Sequence, residues 1–116
     1  MSTSKKIVNK RSPDPFDKLI FEKGVRATNV VADKKLNMLL VILSNSRVLK
    51  IRLSDYDRLR KASQAQLNKW KLVGNGVGIE WTELDEDLSL KGIIKTAAIN
   101  SALQSLEGKG EYSFVA

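Results

Sequence analysis

The sequence predicts an α+β domain, a small antiparallel or mixed sheet carrying short helices and closed by a C-terminal helix. Three observations predict it. Strand-like patterning runs from Val25 to Leu53, as a loosely alternating piece, an apolar run with β-branched members and a cleanly alternating piece; a helical period replaces it after Leu53, and a longer helical stripe runs from Ile93 to Leu106. The chain has 116 residues, the size of one domain with one core, and such a chain hides roughly two-thirds of the surface its unfolded form exposes. Apolar residues make up 42% and charged residues 28%, which is ordinary globular composition and not that of a disordered chain.

Residues 1–22 read as a flexible basic N-terminal arm, because both prolines, Pro13 and Pro15, lie there among Ser, Lys, Arg and Asn with little periodicity. Phe16, Leu19, Ile20 and Phe21 are apolar enough to dock its end on the domain. Residues 23–95 form the single α+β domain, and residues 96–116 a C-terminal helix and tail. Within the domain, "VRATNVVAD", "KLNMLLVILS" and "SRVLKIRLS" are three strands. The third places Leu49, Ile51 and Leu53 on one face and Val48, Lys50 and Arg52 on the other. "SNS", Ser44 to Ser46, is turn chemistry between the second and third, with Asn suited to positive φ.

Two short helices follow. Ser54 with Asp57 resembles a capping arrangement, after which Tyr56, Leu59 and Ala62 share one side. Ser63 with Gln66 repeats the pattern and starts a helix carrying Leu67 toward Trp70. "WKLVGNGVGIEW" is an extended piece, a glycine turn and a second extended piece, in which Gly74, Gly76 and Gly78 serve backbone geometry. Asp85 to Asp87 then lead into a helix starting near Ser89 or Leu90, where negative charge is favoured. Ile93, Ala97, Ile99, Leu103 and Leu106 form its stripe, and Gly108 stops it. The tail "KGEYSFVA" is either loose or a short extra strand.

The chain has no cysteine and no histidine, which removes disulfides, thiolate chemistry, the commonest metal ligand and the commonest general base. An ordinary hydrolase is disfavoured, and no catalytic residue, metal or cofactor is expected. The glycine cluster is no phosphate cradle, since "GNGVGIEW" joins two strand-like pieces with no helix start behind it and no GK[ST] ending. The acids lack the alternating spacing and central glycine of a calcium loop. No apolar run reaches the length of a signal peptide or a membrane span, so the expected location is the cytoplasm.

Charge is the most informative remaining feature. The formal net charge is +7, and it is unevenly distributed. Residues 47–71 carry eight basic and two acidic groups, whereas residues 80–91 carry one and five. Lys50, Arg52, Arg58, Arg60 and Lys61, with the arm, are candidate nucleic-acid contacts whose affinity would come from counterion release. No complete helix-turn-helix pattern accompanies them. Glu80, Glu83, Asp85, Glu86 and Asp87 are the candidate contacts for a protein partner. Trp70 and Trp81 are packing residues rather than stacking platforms.

The run "VLKIRLSDYDRLRKASQAQLNKWKLVGNGVGIEWTELDEDLSLKGII" resembles the small bacterial domain of unknown function numbered 2442, over about residues 25–94. The ordered segment "GIEWTELDEDLSLKGI" carries most of the likeness. Trp70, Gly76, Gly78, Ile79, Trp81, Glu83, Leu84, Asp85, Glu86, Asp87, Leu88 and Gly92 match its signature. Asp57 and Thr82 depart from it, standing where the family often has proline. The resemblance implies a small cytoplasmic α+β domain without established catalysis, whose members often lie beside genes for small toxins. It implies a non-enzymatic, antitoxin-like or accessory protein that binds a small basic partner. A nucleic-acid-binding module is the alternative, and open strand edges make a homodimer the default assembly.

Overall fold

The structure is a computed structural model and describes residues 14–107. Its first element, α1 (Pro15–Asp17), is short because it converts directly into a π-helical turn over Lys18–Glu22. Asp14 caps it by accepting from the Phe16 amide at 2.8 Å, and Pro15 occupies the first position, where a preset φ helps and the missing N–H costs nothing. Ile20 is buried in the core with Phe16 and Leu19 packed beside it, while Phe21 remains exposed. The docking expected of the arm's end is therefore made by this turn. The basic residues Lys5, Lys6, Lys10 and Arg11 lie outside the described residues.

The three expected strands are β1 (Ala27–Asp33), β2 (Met38–Leu43) and β3 (Val48–Ile51), an antiparallel sheet in that order. Leu39, Val41 and Leu43 alternate into the core along β2. Val41 faces Val30 on one side and Leu49 on the other, and Leu39 faces Ile51. In the turn from Ser44 to Ser46 the positive φ of 69° falls on Ser46, not on the asparagine. Asn45 instead accepts from the Arg47 amide through Oδ1 at 3.1 Å, so its side chain closes the turn while its neighbour takes the left-handed backbone.

The helix after β3 does not begin as the sequence suggests. A 3-10 turn at Leu53–Asp55 comes first, and α2 (Asp57–Lys61) starts after Tyr56 with no side-chain cap. Ser54 is occupied elsewhere: its amide donates to Asn37 Oδ1 at 2.9 Å and its hydroxyl accepts from Asn37 Nδ2 at 3.0 Å. That pair pins the β1–β2 turn, where Asn37 holds φ at 53°. The second capping pattern holds in full. Ser63 and Gln66 form a reciprocal capping box at the start of α3 (Gln64–Leu67). Leu59, Ala62 and Leu67 enter the core.

A second antiparallel sheet follows, with β4 (Lys71–Val73), β5 (Gly78–Trp81) and β6 (Glu86–Ser89) in that order. The glycine turn is placed as expected, a 3-10 turn over Gly74–Gly76. Gly76 has φ +94°, and a Cβ there would lie 2.3 Å from the Ala27 carbonyl oxygen. This glycine lets the second sheet's turn press against the first strand of the other sheet. On the inner face Leu72, Ile79 and Leu88 stand in one cross-strand row, beside Trp81, which is fully buried.

β6 corrects the reading of the acids. Glu86 and Asp87 pair with Trp81 and Glu80 across a strand ladder; they precede the helix as expected but lie in a strand, outside its first turn. Asp85 turns the chain into that strand with φ +51°. The long helix α4 (Leu90–Leu106) begins immediately after, with Ser89 accepting from the Gly92 amide at 2.9 Å and no acid in its first turn. A hydroxyl cap replaces the expected carboxylates. The helix runs unbroken through residues 95 and 96, where the sequence placed a boundary. Gly108 and the tail lie outside the described residues, and no helix among those described is long and apolar enough to cross a membrane.

Candidate functional site

The acidic and basic stretches that looked like two separate surfaces face each other. Lys69 Nζ lies 2.9 Å from Glu83 Oε2, Lys71 Nζ lies 3.5 Å from Glu80 Oε1, and Arg58 Nη1 lies 3.5 Å from Asp85 Oδ2. Arg58 also donates to the Asp85 carbonyl. The topology causes this. β4 and β5 are neighbours with Lys71 directly opposite Glu80, and α2 sits within reach of the β5–β6 turn. Arg60 and Lys61 both reach back to Asp57 on their own helix, at the spacing where helix side chains meet.

These pairings shift titrations in consistent directions. Asp57 is held below the usual carboxylate value first by its hydrogen bond from Arg60 and then by Lys61. Glu83 is lowered by the hydrogen bond from Lys69. The groups are exposed, so the pairs orient side chains and contribute little stability each.

Of the five candidate acids, Glu86 and Asp87 make no salt bridge among the described residues. Asp87 stands directly across from Glu80, a like-charge pairing that is unfavourable unless a cation intervenes. Of the five candidate cations, Arg52 pairs with Asp55 at 3.0 Å. Lys50 alone has no salt bridge among the described residues. It stands on β3, an edge strand of the first sheet.

Three charged groups, Lys91, Lys95 and Lys34, escaped the sequence reading. Lys91 on α4 lies 3.0 Å from Asp14 and 2.9 Å from Asp17, tying α1 to the long helix, while Lys95 sits 5.7 Å from the Phe16 ring centre. Lys91 is raised above its ordinary value, first by Asp17 and then by Asp14, and Asp14 is lowered, first by Lys91. Lys34 donates to the carbonyls of Arg60 and Ala62 at 3.1 and 2.6 Å, closing the end of α2. Separations of 26 to 79 residues in sequence carry no local signal of such contacts.

No group of three or more His, Cys, Asp or Glu side chains among the described residues is arranged to hold a metal ion. The glycines at residues 74–78 make a turn between antiparallel strands.

Along α4, apolar side chains remain in the open. Ile99, Leu103 and Leu106 of α4 are 58%, 50% and 83% exposed. The stripe read from the sequence packs only at its first end, through Ile93 and Ala97. α4 continues alongside β3, leaving a groove of about 470 Å³ lined by Lys50, Ile51, Arg52, Ala97, Leu103 and Glu107, among others. A second groove of about 550 Å³, lined by Arg47, Val48, Leu49 and Ile94 among others, lies at the other end of β3.

Fold and surface together define a small α+β domain of two three-stranded antiparallel sheets, with paired charges between α2 and the second sheet and, among the described residues, an unpaired β3 edge and exposed apolar side chains on α4. The chain belongs to the family described as a protein of unknown function (DUF2442), whose model matches residues 27–98. It is similar to the crystal structure of a protein of unknown function from Rhodospirillum rubrum, at 31% identity over 61% of this chain and 86% of that one, with a TM-score of 0.56. The fold also matches the solution structure of an uncharacterized protein from Chromobacterium violaceum, at 21% identity over 96% of this chain and 97% of that one, with a TM-score of 0.59. No curated protein matches the chain.

Proposed function

We propose that this chain is a non-enzymatic protein-interaction domain, an antitoxin-like or accessory subunit of a small bacterial system. One observation carries the reading: Ile99, Leu103 and Leu106 stand exposed on α4 at one edge of the first sheet. Large apolar side chains gathered on one side of a small domain are characteristic of a contact surface. Glu86 and Asp87, free of salt bridges among the described residues, are the acids left to meet a basic partner, and they would act mainly on encounter rate and partner choice.

The nucleic-acid alternative draws less from the arrangement. Arg58, Arg60 and Lys61 each face a carboxylate, so phosphate contact would first have to break those pairs. Its mark would be an affinity whose logarithm falls linearly with log salt.

The test is affinity capture of the tagged chain from its native host at native expression and low salt, with mass spectrometry, cross-linking and reciprocal capture from the partner. The expected result is one co-purifying protein in stoichiometric amount. Recovery of the chain alone refutes the reading.

A further inference from the structure

We propose that the open edge of β3, together with the groove beside α4, binds an extended acidic polypeptide segment of a partner protein as an added fourth strand. The proposal rests on the protein-interaction reading but names a different surface from the acidic one.

The backbone supplies the first argument. The Leu43 amide donates to the Arg47 carbonyl at 2.8 Å, and the register places Val41 opposite Leu49 and Leu39 opposite Ile51. Hydrogen-bonded pairs alternate along an antiparallel ladder. Arg47, Leu49 and Ile51 therefore direct their amides and carbonyls toward β2, and Val48 and Lys50 direct theirs away from the sheet. Those outward groups of Val48 and Lys50 make no turn, loop or cap hydrogen bond among the described residues. An edge of this kind is a template for another strand.

The side chains state what that strand should look like. Along β3 the burial alternates, with Val48 and Lys50 exposed, Leu49 half-buried and Ile51 buried. A residue added opposite Lys50 shares the Lys50 face, and its neighbours on either side turn toward Ala97 and Leu103 of α4. The groove thus asks for alternation, apolar side chains toward α4 and acids toward Lys50. Charge is complementary to that pattern: Lys50 and Arg47, one in each groove, form no salt bridge among the described residues. Arg52 at the far end is held by Asp55 and Glu107 lines the same groove, so Lys50 and Arg47 carry the preference for acids. Lysine on an edge strand guards against pairing with a second copy, which would bring the same cations together. An acidic strand removes that repulsion. A nucleic acid fits less well, since the edge offers carbonyls as well as amides and the groove walls include Ile51, Ala97 and Leu103, which phosphates cannot satisfy.

The experiment titrates the full-length, nitrogen-15-labelled chain with acetyl-Glu-Val-Glu-Val-Glu-Val-amide. Two controls accompany it: the peptide with Lys in place of Glu, and the Glu peptide N-methylated on alternate residues in each of the two registers. The Glu peptide should give saturable shifts centred on the Val48 and Lys50 amides and slow their hydrogen exchange. The Lys peptide should bind at least ten-fold more weakly, as should the Glu peptide methylated on the edge-facing residues. Lys50→Glu should shift the preference toward the Lys peptide.

Equal binding of both peptides overturns the proposal, as do shifts centred away from β3 or tighter binding of a DNA duplex at the same amides. Protection of the Val48 and Lys50 amides before any peptide is added also overturns it, whether a second copy or the chain's own residues 108–116 supply the cover. The two readings fail differently. A host partner captured equally by the wild-type chain and by Lys50→Glu sinks the groove and leaves the interaction domain standing, whereas no partner at all sinks the interaction domain.

Discussion

Replacing Trp81 by Phe should be among the most damaging conservative changes in this chain. Trp81 is fully buried at the end of β5, and its indole Nε1–H donates to the Leu67 carbonyl at 2.9 Å, a bond between β5 and the last residue of α3. Phenylalanine fills most of the ring volume but cannot donate. The Leu67 carbonyl would then lack its buried partner, at about 1–3 kcal/mol, and the missing ring atoms leave a gap worth about 1–2 kcal/mol more. The sum, about 2–5 kcal/mol, is a large part of the 5–15 kcal/mol typical of such a domain. Urea unfolding followed by far-ultraviolet circular dichroism should show a lower midpoint at unchanged slope, and Tm should fall by about 10 °C or more. Trp70→Phe is the control, because Trp70 is only half-buried and its indole makes no hydrogen bond among the described residues. A loss below about 1 kcal/mol for Trp81→Phe would show that the indole bond does not join α3 to the second sheet as argued.

Three further outcomes follow from the same geometry. Gly76→Ala should cost at least about 2 kcal/mol, since a Cβ would meet the Ala27 carbonyl and the backbone is left-handed, whereas Gly24→Ala, at φ +71° but with open space around it, should cost about 1 kcal/mol; paired thermal melts compare them. Ser63→Ala should remove one arm of the capping box and lower stability by about 1 kcal/mol in urea unfolding. The third outcome concerns pH. Asp14, Asp57 and Glu83 have folded values lowered from 3.8, 3.8 and 4.5. Their contribution is present above those values and lost as pH falls through the lowered folded ones. Lys91 is raised from 10.5, so its contribution is present below that value and lost as pH rises through the raised one. Urea unfolding across pH should therefore show a plateau between about pH 6 and pH 9, and Lys91→Met should diminish the losses at both ends; a steep slope inside the plateau refutes the assignment.

Much of the fold was legible because it depends on local rules. The apolar run in "KLNMLLVILS" and the alternation in "SRVLKIRLS" become β2 and β3, and Ser63 with Gln66 becomes a complete capping box. The glycine turn forms where its glycines fall. Ser54 and Asp57 carried the same local signal as Ser63 and Gln66, yet Ser54 turned to Asn37, because a partner 17 residues away competes equally well for one hydroxyl. The acids misled for a related reason. Carboxylates before a helix favour its start, but "EDLS" also alternates as a strand, and the free edge of β5 decided between the two. The surface stretches were legible only as composition. That Lys69, Lys71 and Arg58 would stand against Glu83, Glu80 and Asp85 depends on which strands are neighbours, and no spacing in the chain states it.

By itself, then, the sequence determined the α+β class, the strands β2 and β3 and the inward face of β3, the glycine turn and the helix from Leu90, because each follows from periodicity, turn chemistry or capping over a few residues. Only the tertiary structure decided which charges cancel, that three of the five residues in the apolar stripe of α4 lie exposed, and that Lys50 stands on a strand edge that no other described strand covers. Those depend on strand order and on where a helix leaves the core, and both are settled by packing between distant segments.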